Sequence, residues 1–253
     1  MTSPGTLSNR LDARPALISG LLLTVGAALF MIGGSQHPRI NANLGVVGSE
    51  EFYRAFAEHA ARAPGWESFH ALILIGPVLW ALAVPGLVAV LPLGGVQIWR
   101  AASMAFGIAA TAWFVAFSLD GFNAPAFANA ISTAADAAAQ HDKLFEFSTS
   151  SRLVAYLGRI SWTMMSLSLA AFGAGIVVSA RARNWRRFLG ATGVLLGLWT
   201  VFELSRGDFT PGPFTSPYWT ITALATGIWV AAFGVTIAVI PRSESHHGIP
   251  HPA

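Results

Sequence analysis

The chain has 253 residues, of which 54% are apolar and only 11% charged, with a formal net charge of +3. A soluble domain carries about 25% charged residues, so this shortfall places the chain in the membrane class. The absence of cysteine excludes disulfides, thiolate catalysis and cysteine-ligated metals. The arginines sit beside apolar runs, where they report orientation and contact with membrane lipids and not nucleic-acid binding.

Residues 1–14 are a polar tail, followed by a first apolar span at 15–34. That run is longer than the roughly 7–15 residues of a signal-peptide core, and no small-x-small cleavage site follows, so a retained span is expected. Residues 35–69 form a long polar loop. Within it, Ser49 is placed to cap a short helix, EEFYRAFAEHAAR, whose first turn carries Glu50 and Glu51. Phe52, Phe56 and Ala60 share one side of this helix, which is therefore expected to lie on the membrane or over the bundle. Ala63-Pro64-Gly65 should end it.

The second span covers 70–92 and contains Gly76-Pro77 and Pro85-Gly86, two expected kinks. The third covers 101–119, with Ser103, Gly107 and Thr111 spaced for close helix packing. Residues 120–151 read as a second outer loop, alanine-rich and carrying a surface helix, with the hydroxyl tract Ser148, Thr149, Ser150 and Ser151 as a capping region. A fourth apolar run, 153–180, holds one charge, Arg159, and ends at Arg181, Arg183, Arg186 and Arg187. Arg152, Tyr156, Arg159, Thr163, Ser166, Ala170 and Gly173 recur by four and three along it, which predicts a shared, protein-facing stripe. The fifth span, 188–204, carries Gly193-x-x-x-Gly197 as a packing face. A proline-containing loop leads to the sixth at 218–240, and residues 241–253 form a tail with His246, His247 and His251, read as flexible.

This pattern predicts an all-α polytopic membrane protein: one six-helix domain over 15–240, both termini cytoplasmic, and two long outer loops bearing short surface helices. With the termini inside, the inner side holds eight basic and two acidic side chains, against seven and ten outside. The arginine cluster after the fourth span and the arginines before the first decide the orientation. Trp66, Trp99, Trp185 and Trp219 fall where an interfacial aromatic belt is expected.

Ionisable residues from several spans collect at the outer depth: His70, Asp120, Arg159 and Glu203, with Arg206 and Asp208 just beyond. Charges at membrane depth usually pair and face the bundle interior. Arg159 with Glu203 or Asp120 is the expected pair. It either lines a ligand pocket or serves as a buried pair fixing helix register, with a snorkelling arginine as the third possibility. In the ligand reading Arg159, Tyr156, Arg152 and Arg206 bind an anionic group, and Asp120, Glu203 and His70 supply proton donors or acceptors. His37 and His70 can meet at the outer ends of the first two spans and offer a metal or haem site. Solvated or hydrogen-bonded histidines are the plainer expectation, so no cofactor is evident.

Three short motifs, His37-Pro38-Arg39, Trp66-Glu67-Ser68-Phe69-His70 and Leu119-Asp120-Gly121, resemble a pattern in uncharacterised actinobacterial multipass membrane proteins. The resemblance covers the first half and implies a bacterial cytoplasmic membrane, with no activity attached. The leading expectation is binding or modification of an amphipathic lipid or isoprenoid-like molecule in a polar pocket at the outer leaflet. The rivals are a non-catalytic membrane subunit or assembly factor, docking partner helices or further copies through small-residue faces, and a small-molecule transporter with the helix-two prolines as hinges.

Overall fold

A computed structural model describes residues 13–37, 44–46, 48–90, 96–178, 184–205 and 217–239. Those residues are helical with no strand. In chain order the elements are α1 (Ala13–Gln36), α2 (Glu50–Arg62), α3 (Trp66–Val90), α4 (Val96–Ser118), a π-helical turn (Leu119–Asn123), α5 (Ala124–Ser132), α6 (Ala137–Val178), α7 (Asn184–Ser205) and α8 (Pro217–Ala238).

Six of these segments are long and apolar enough to cross a membrane, and the chain is a multi-pass membrane protein. Their outer faces carry Leu17, Leu21, Val25, Leu82, Met104, Leu195, Leu198 and Ile228, all more than half or nearly half exposed. Such a surface suits acyl chains and not water. The spans pack in a ring, α1–α3–α4–α6–α7–α8, and α8 returns against α1. Trp80, Trp113, Phe106, Trp162, Phe172 and Phe233 fill its centre.

Close approach is set by reciprocal glycines. A Cβ on Gly26 would lie 2.7 Å from the Gly76 carbonyl oxygen, and one on Gly76 would lie 2.7 Å from that of Gly26, which locks α1 to α3. Gly20 and Gly234 do the same for α1 and α8, and Gly173 and Gly190 for α6 and α7. Only glycine lets the backbones come so near. Gly193 lies under the Trp229 ring and Gly197 over Ser166 and Ala170, so the expected packing motif is used. The stripe expected on α4 is not. Ser103 is buried, but a Cβ on Gly107 would meet nothing within 4 Å, and Thr111 is exposed. Pro77 and Pro85 sit inside a continuous α3.

The second outer loop is largely helix. The third span runs through the π turn into α5, and α6 begins at Ala137, well before the apolar run. At 1.5 Å per residue, its 42 residues extend about 63 Å, twice the roughly 30 Å of a hydrocarbon core. The hydroxyl tract expected to cap a helix lies inside α6. Ser148 and Thr149 there donate to the Phe145 carbonyl.

The polar first turns of α6 join α2 and α5 in a small roof over one end of the bundle. Ser49 caps α2 as expected, accepting from the Phe52 N–H at 3.1 Å, and Gly65 ends the following turn with φ +76°. Phe52, Tyr53, Phe56, Ala57 and Ala60 of α2 bury against Ala124, Ala128 and Ile131 of α5 and Leu144 and Phe147 of α6. His141 on α6 donates from Nδ1 to the Glu50 carboxylate at 2.6 Å, clasping the roof from outside. This second core resembles that of a water-soluble helical unit, set on the membrane domain.

Candidate functional site

The roof and the bundle meet at Trp66. It opens α3, is 2% exposed, and packs with Phe56 of the roof on one side and the His70 ring on the other, at centroid distances of 5.9 and 4.6 Å. Trp66 therefore belongs to the core and not to an interfacial belt. Trp99 is likewise buried, Trp185 is about half exposed, and the Trp219 side chain lies outside the described residues. The Trp66 indole N–H donates to the Asp120 carbonyl at 3.3 Å, tying α3 to the π turn.

Beneath Trp66 three side chains converge. His70 comes from one turn along α3, His37 from the end of α1 and Asp120 from the π turn. His70 is fully buried and His37 is 7% exposed, so of the two plain expectations, solvated or hydrogen-bonded, it is the second that the structure shows. The Asp120 side chain keeps 16% of its surface exposed and forms the open edge. His70 Nε2 lies 3.1 Å from His37 Nε2 and 3.1 Å from Asp120 Oδ2. The opposite nitrogen, Nδ1, lies 2.8 Å from the Trp66 carbonyl oxygen. The π turn supplies the geometry. Its wide turn places Asp120 toward α3 and sets Gly121 directly against His70, where a side chain would collide with the ring. Single π turns inside α-helices often mark functional positions.

The proton inventory of this cluster is informative. A carbonyl oxygen only accepts, so His70 Nδ1 carries a proton. In a neutral imidazole Nε2 is then a bare lone pair, facing a carboxylate that also only accepts. His37 can donate one N–H to His70, but this leaves the Asp120 contact with no positive charge between two lone pairs. A metal ion held between the donor atoms is one group that satisfies this contact.

An apolar cleft adjoins the cluster. It is partly open to the outside and is lined by Phe30, Met31, Ile73, Phe117, Ala223 and Leu224 among others. Ile73 lies one turn from His70 on α3. Phe117 is 6.4 Å from the His70 ring, and Gly34 and Ser35 carry the wall toward His37. The cleft therefore lies between α1 and α8, with Phe117 between it and the His70 ring.

The other expected site residues are placed differently. Asp120 pairs with His70 and not with Arg159. Arg152 and Arg159 are exposed on α6 and Tyr156 is 64% exposed, so the upper half of the expected stripe faces outward. Its lower half, Ser166 and Gly173, is buried against α7 as expected. Gly197 lies opposite Ser166 and Ala170, and α7 runs antiparallel for eight more residues to Ser205, which brings its described end level with the turn of α6 that carries Arg159. Glu203 is 3% exposed, and its Oε1 has no hydrogen-bond partner among the described residues. Arg206, Asp208, Arg181, Arg183 and the tail histidines lie outside the described residues.

A haem held between His37 and His70 does not fit this geometry. Two axial nitrogens stand about 4 Å apart, twice a metal–nitrogen bond, with the macrocycle between them. Here they are 3.1 Å apart. Trp66 is the site residue that sequence reading assigned elsewhere. Its signal was the spacing to His70, which puts its carbonyl one helical turn behind the ring. Three comparisons, with protein families, with curated proteins and with solved structures, give no match to this chain.

Proposed function

We propose that the protein binds an amphipathic, single-chain molecule of lipid or isoprenoid type, with its polar head at His70, Asp120 and His37 and its tail in the cleft between α1 and α8. The observation that carries this reading is proximity: an apolar cleft begins one helical turn from a buried, hydrogen-bonding cluster. Membrane ligand sites combine these two features, since hydrocarbon fills the cleft and a few polar groups fix the head.

The head group's chemistry follows from the open edge. Asp120 is the most exposed member of the cluster, and a carboxylate there disfavours a phosphate or carboxylate head. A neutral head with hydroxyl or carbonyl oxygens is favoured. Arg159 then has no place in head-group binding, in contrast to the sequence expectation. With the arginine cluster on the cytoplasmic side, the roof faces outward and the molecule enters from the outer leaflet of a bacterial cytoplasmic membrane.

The test is gentle extraction followed by untargeted lipid and metabolite analysis of the purified protein. A stoichiometric oxygen-headed amphiphile is expected. Ala223→Phe, which fills the cleft without touching the cluster, should lose it. Bound lipid identical in the two proteins and matching the bulk membrane would refute the reading. Migration as a stable hetero-complex, with no bound amphiphile, would favour a subunit or assembly factor instead.

A further inference from the structure

We infer that His37, His70 and Asp120 form a three-ligand site for a divalent first-row transition-metal ion at the junction of membrane bundle and roof. The inference concerns the same three side chains that the amphiphile reading gives to the head group, but it is argued only from their donor atoms and surroundings.

Four observations carry it. The donor atoms of all three residues lie within 4.8 Å of one another, although they come from three separate helical segments. His70 Nε2 lies 3.1 Å from both His37 Nε2 and Asp120 Oδ2. An ion with donors at about 2.0–2.2 Å places adjacent donors about 2.9–3.5 Å apart, from octahedral to tetrahedral angles. The ion therefore needs little rearrangement. Secondly, the His70 tautomer is set for ligation. Its Nδ1–H is held by a backbone carbonyl and its Nε2 lone pair is aimed into the cluster, the usual outer-shell arrangement of a metal-bound histidine.

Thirdly, with its Nδ1–H held by the Trp66 carbonyl, His70 Nε2 turns its lone pair toward the Asp120 carboxylate at 3.1 Å, a contact that an ion between the two atoms would satisfy. Fourthly, the surroundings are those of a built site. Trp66 lies 4.6 Å from the His70 ring and 5.1 Å from the His37 ring, and Phe117 closes a further side. Only the Asp120 edge is open, which gives an entry path and leaves coordination positions for an outside oxygen. Two imidazoles and one carboxylate suit zinc, iron, cobalt or manganese, and disfavour the soft, thiolate-seeking ions.

The experiment uses the full chain in detergent, with His246, His247 and His251 changed to Ala so that the tail cannot bind metal. The protein is stripped with a chelator and titrated with Co²⁺, then with Zn²⁺ in competition. One equivalent of Co²⁺ should bind and give visible ligand-field bands, which Zn²⁺ abolishes. Asp120→Asn, which preserves shape, and His37→Gln should each weaken Zn²⁺ binding by more than about 100-fold, beyond the usual outer-shell effect. Zn²⁺ should raise the melting temperature of the parent protein and leave that of the variants unchanged. That readout requires only that the variants fold. Absence of Co²⁺ bands at 100-fold excess, or bands equal in parent and variants, would overturn the inference. Loss of bound amphiphile in Ala223→Phe with Co²⁺ bands retained would separate this site from the tail-binding reading.

Discussion

Replacing Gly121 with alanine tests the site through packing alone, without removing any polar group. A Cβ at this position would lie 2.4 Å from His70 Cβ, 2.8 Å from Cγ and 3.2 Å from Cδ2. Carbon atoms in contact sit about 3.5–4.0 Å apart, so the ring or the π turn must move by roughly 1 Å. His70 Nε2 holds its two partners at 3.1 Å. A further ångström on either takes it beyond hydrogen-bond range. Overpacking of this kind costs about 1–3 kcal/mol. Each 1.4 kcal/mol that falls on the site is a tenfold loss of affinity. The expected result is a lower melting temperature in detergent together with roughly 10- to 100-fold weaker Co²⁺ binding. Gly107→Ala is the control, because its Cβ meets nothing within 4 Å. Wild-type melting and wild-type Co²⁺ affinity for Gly121→Ala would refute the idea that the π turn presses on His70 and holds the cluster together.

Other substitutions separate the roof, the bundle and the site. Gly76→Val drives a side chain into the α1 backbone at Gly26 and should lower the melting temperature markedly, whereas Gly107→Val on the outward face of α4 should not. Ser49→Ala removes the α2 cap and should cost about 1 kcal/mol, read as faster hydrogen exchange in α2 with the spans unaffected. Glu203→Gln removes a buried charge whose Oε1 has no described partner, and should raise the melting temperature. A clear fall would show that the carboxylate is engaged. Arg159→Leu should leave the bound-amphiphile profile unchanged, while His70→Ala should abolish the stoichiometric species. The reverse pattern would restore the arginine-anchored pocket.

The six spans were legible because the physics is blunt: about 20 apolar residues cross a bilayer, whatever packs against them. The α2 helix was legible for the opposite reason. It carries a serine cap, two glutamates in its first turn and an apolar face at helical spacing, each of which acts locally. The first four turns of α6 were not. Residues 137–151 read as part of an outer loop carrying a separate surface helix, yet they are continuous with the fourth span, and Leu144 and Phe147, three apart, bury in the roof. A hydropathy profile registers the membrane as the only apolar partner and misses a second, water-facing core.

The same distinction explains why the site was half legible. Depth along a span can be counted from its ends, so His70 and Asp120 were expected at one level, and there they meet. Direction around a span cannot be counted so simply. The α6 stripe steps by an average of 3.5 residues, against 3.6 per turn, and drifts about 20° each heptad. Over the three heptads from Arg152 to Gly173 this amounts to about 60°, enough to carry one end off the buried face while the other stays on it. His37 and His70 are instead held by their neighbours: Trp66 above, Gly121 alongside, and the α1–α3 glycine contact that brings their helices together. The residues that build the cluster are thus mostly apolar or glycine. A search for charge at membrane depth finds the acid and the histidines, but has no means of showing which ionisable groups the aromatic roof and the glycines bring within 3.1 Å.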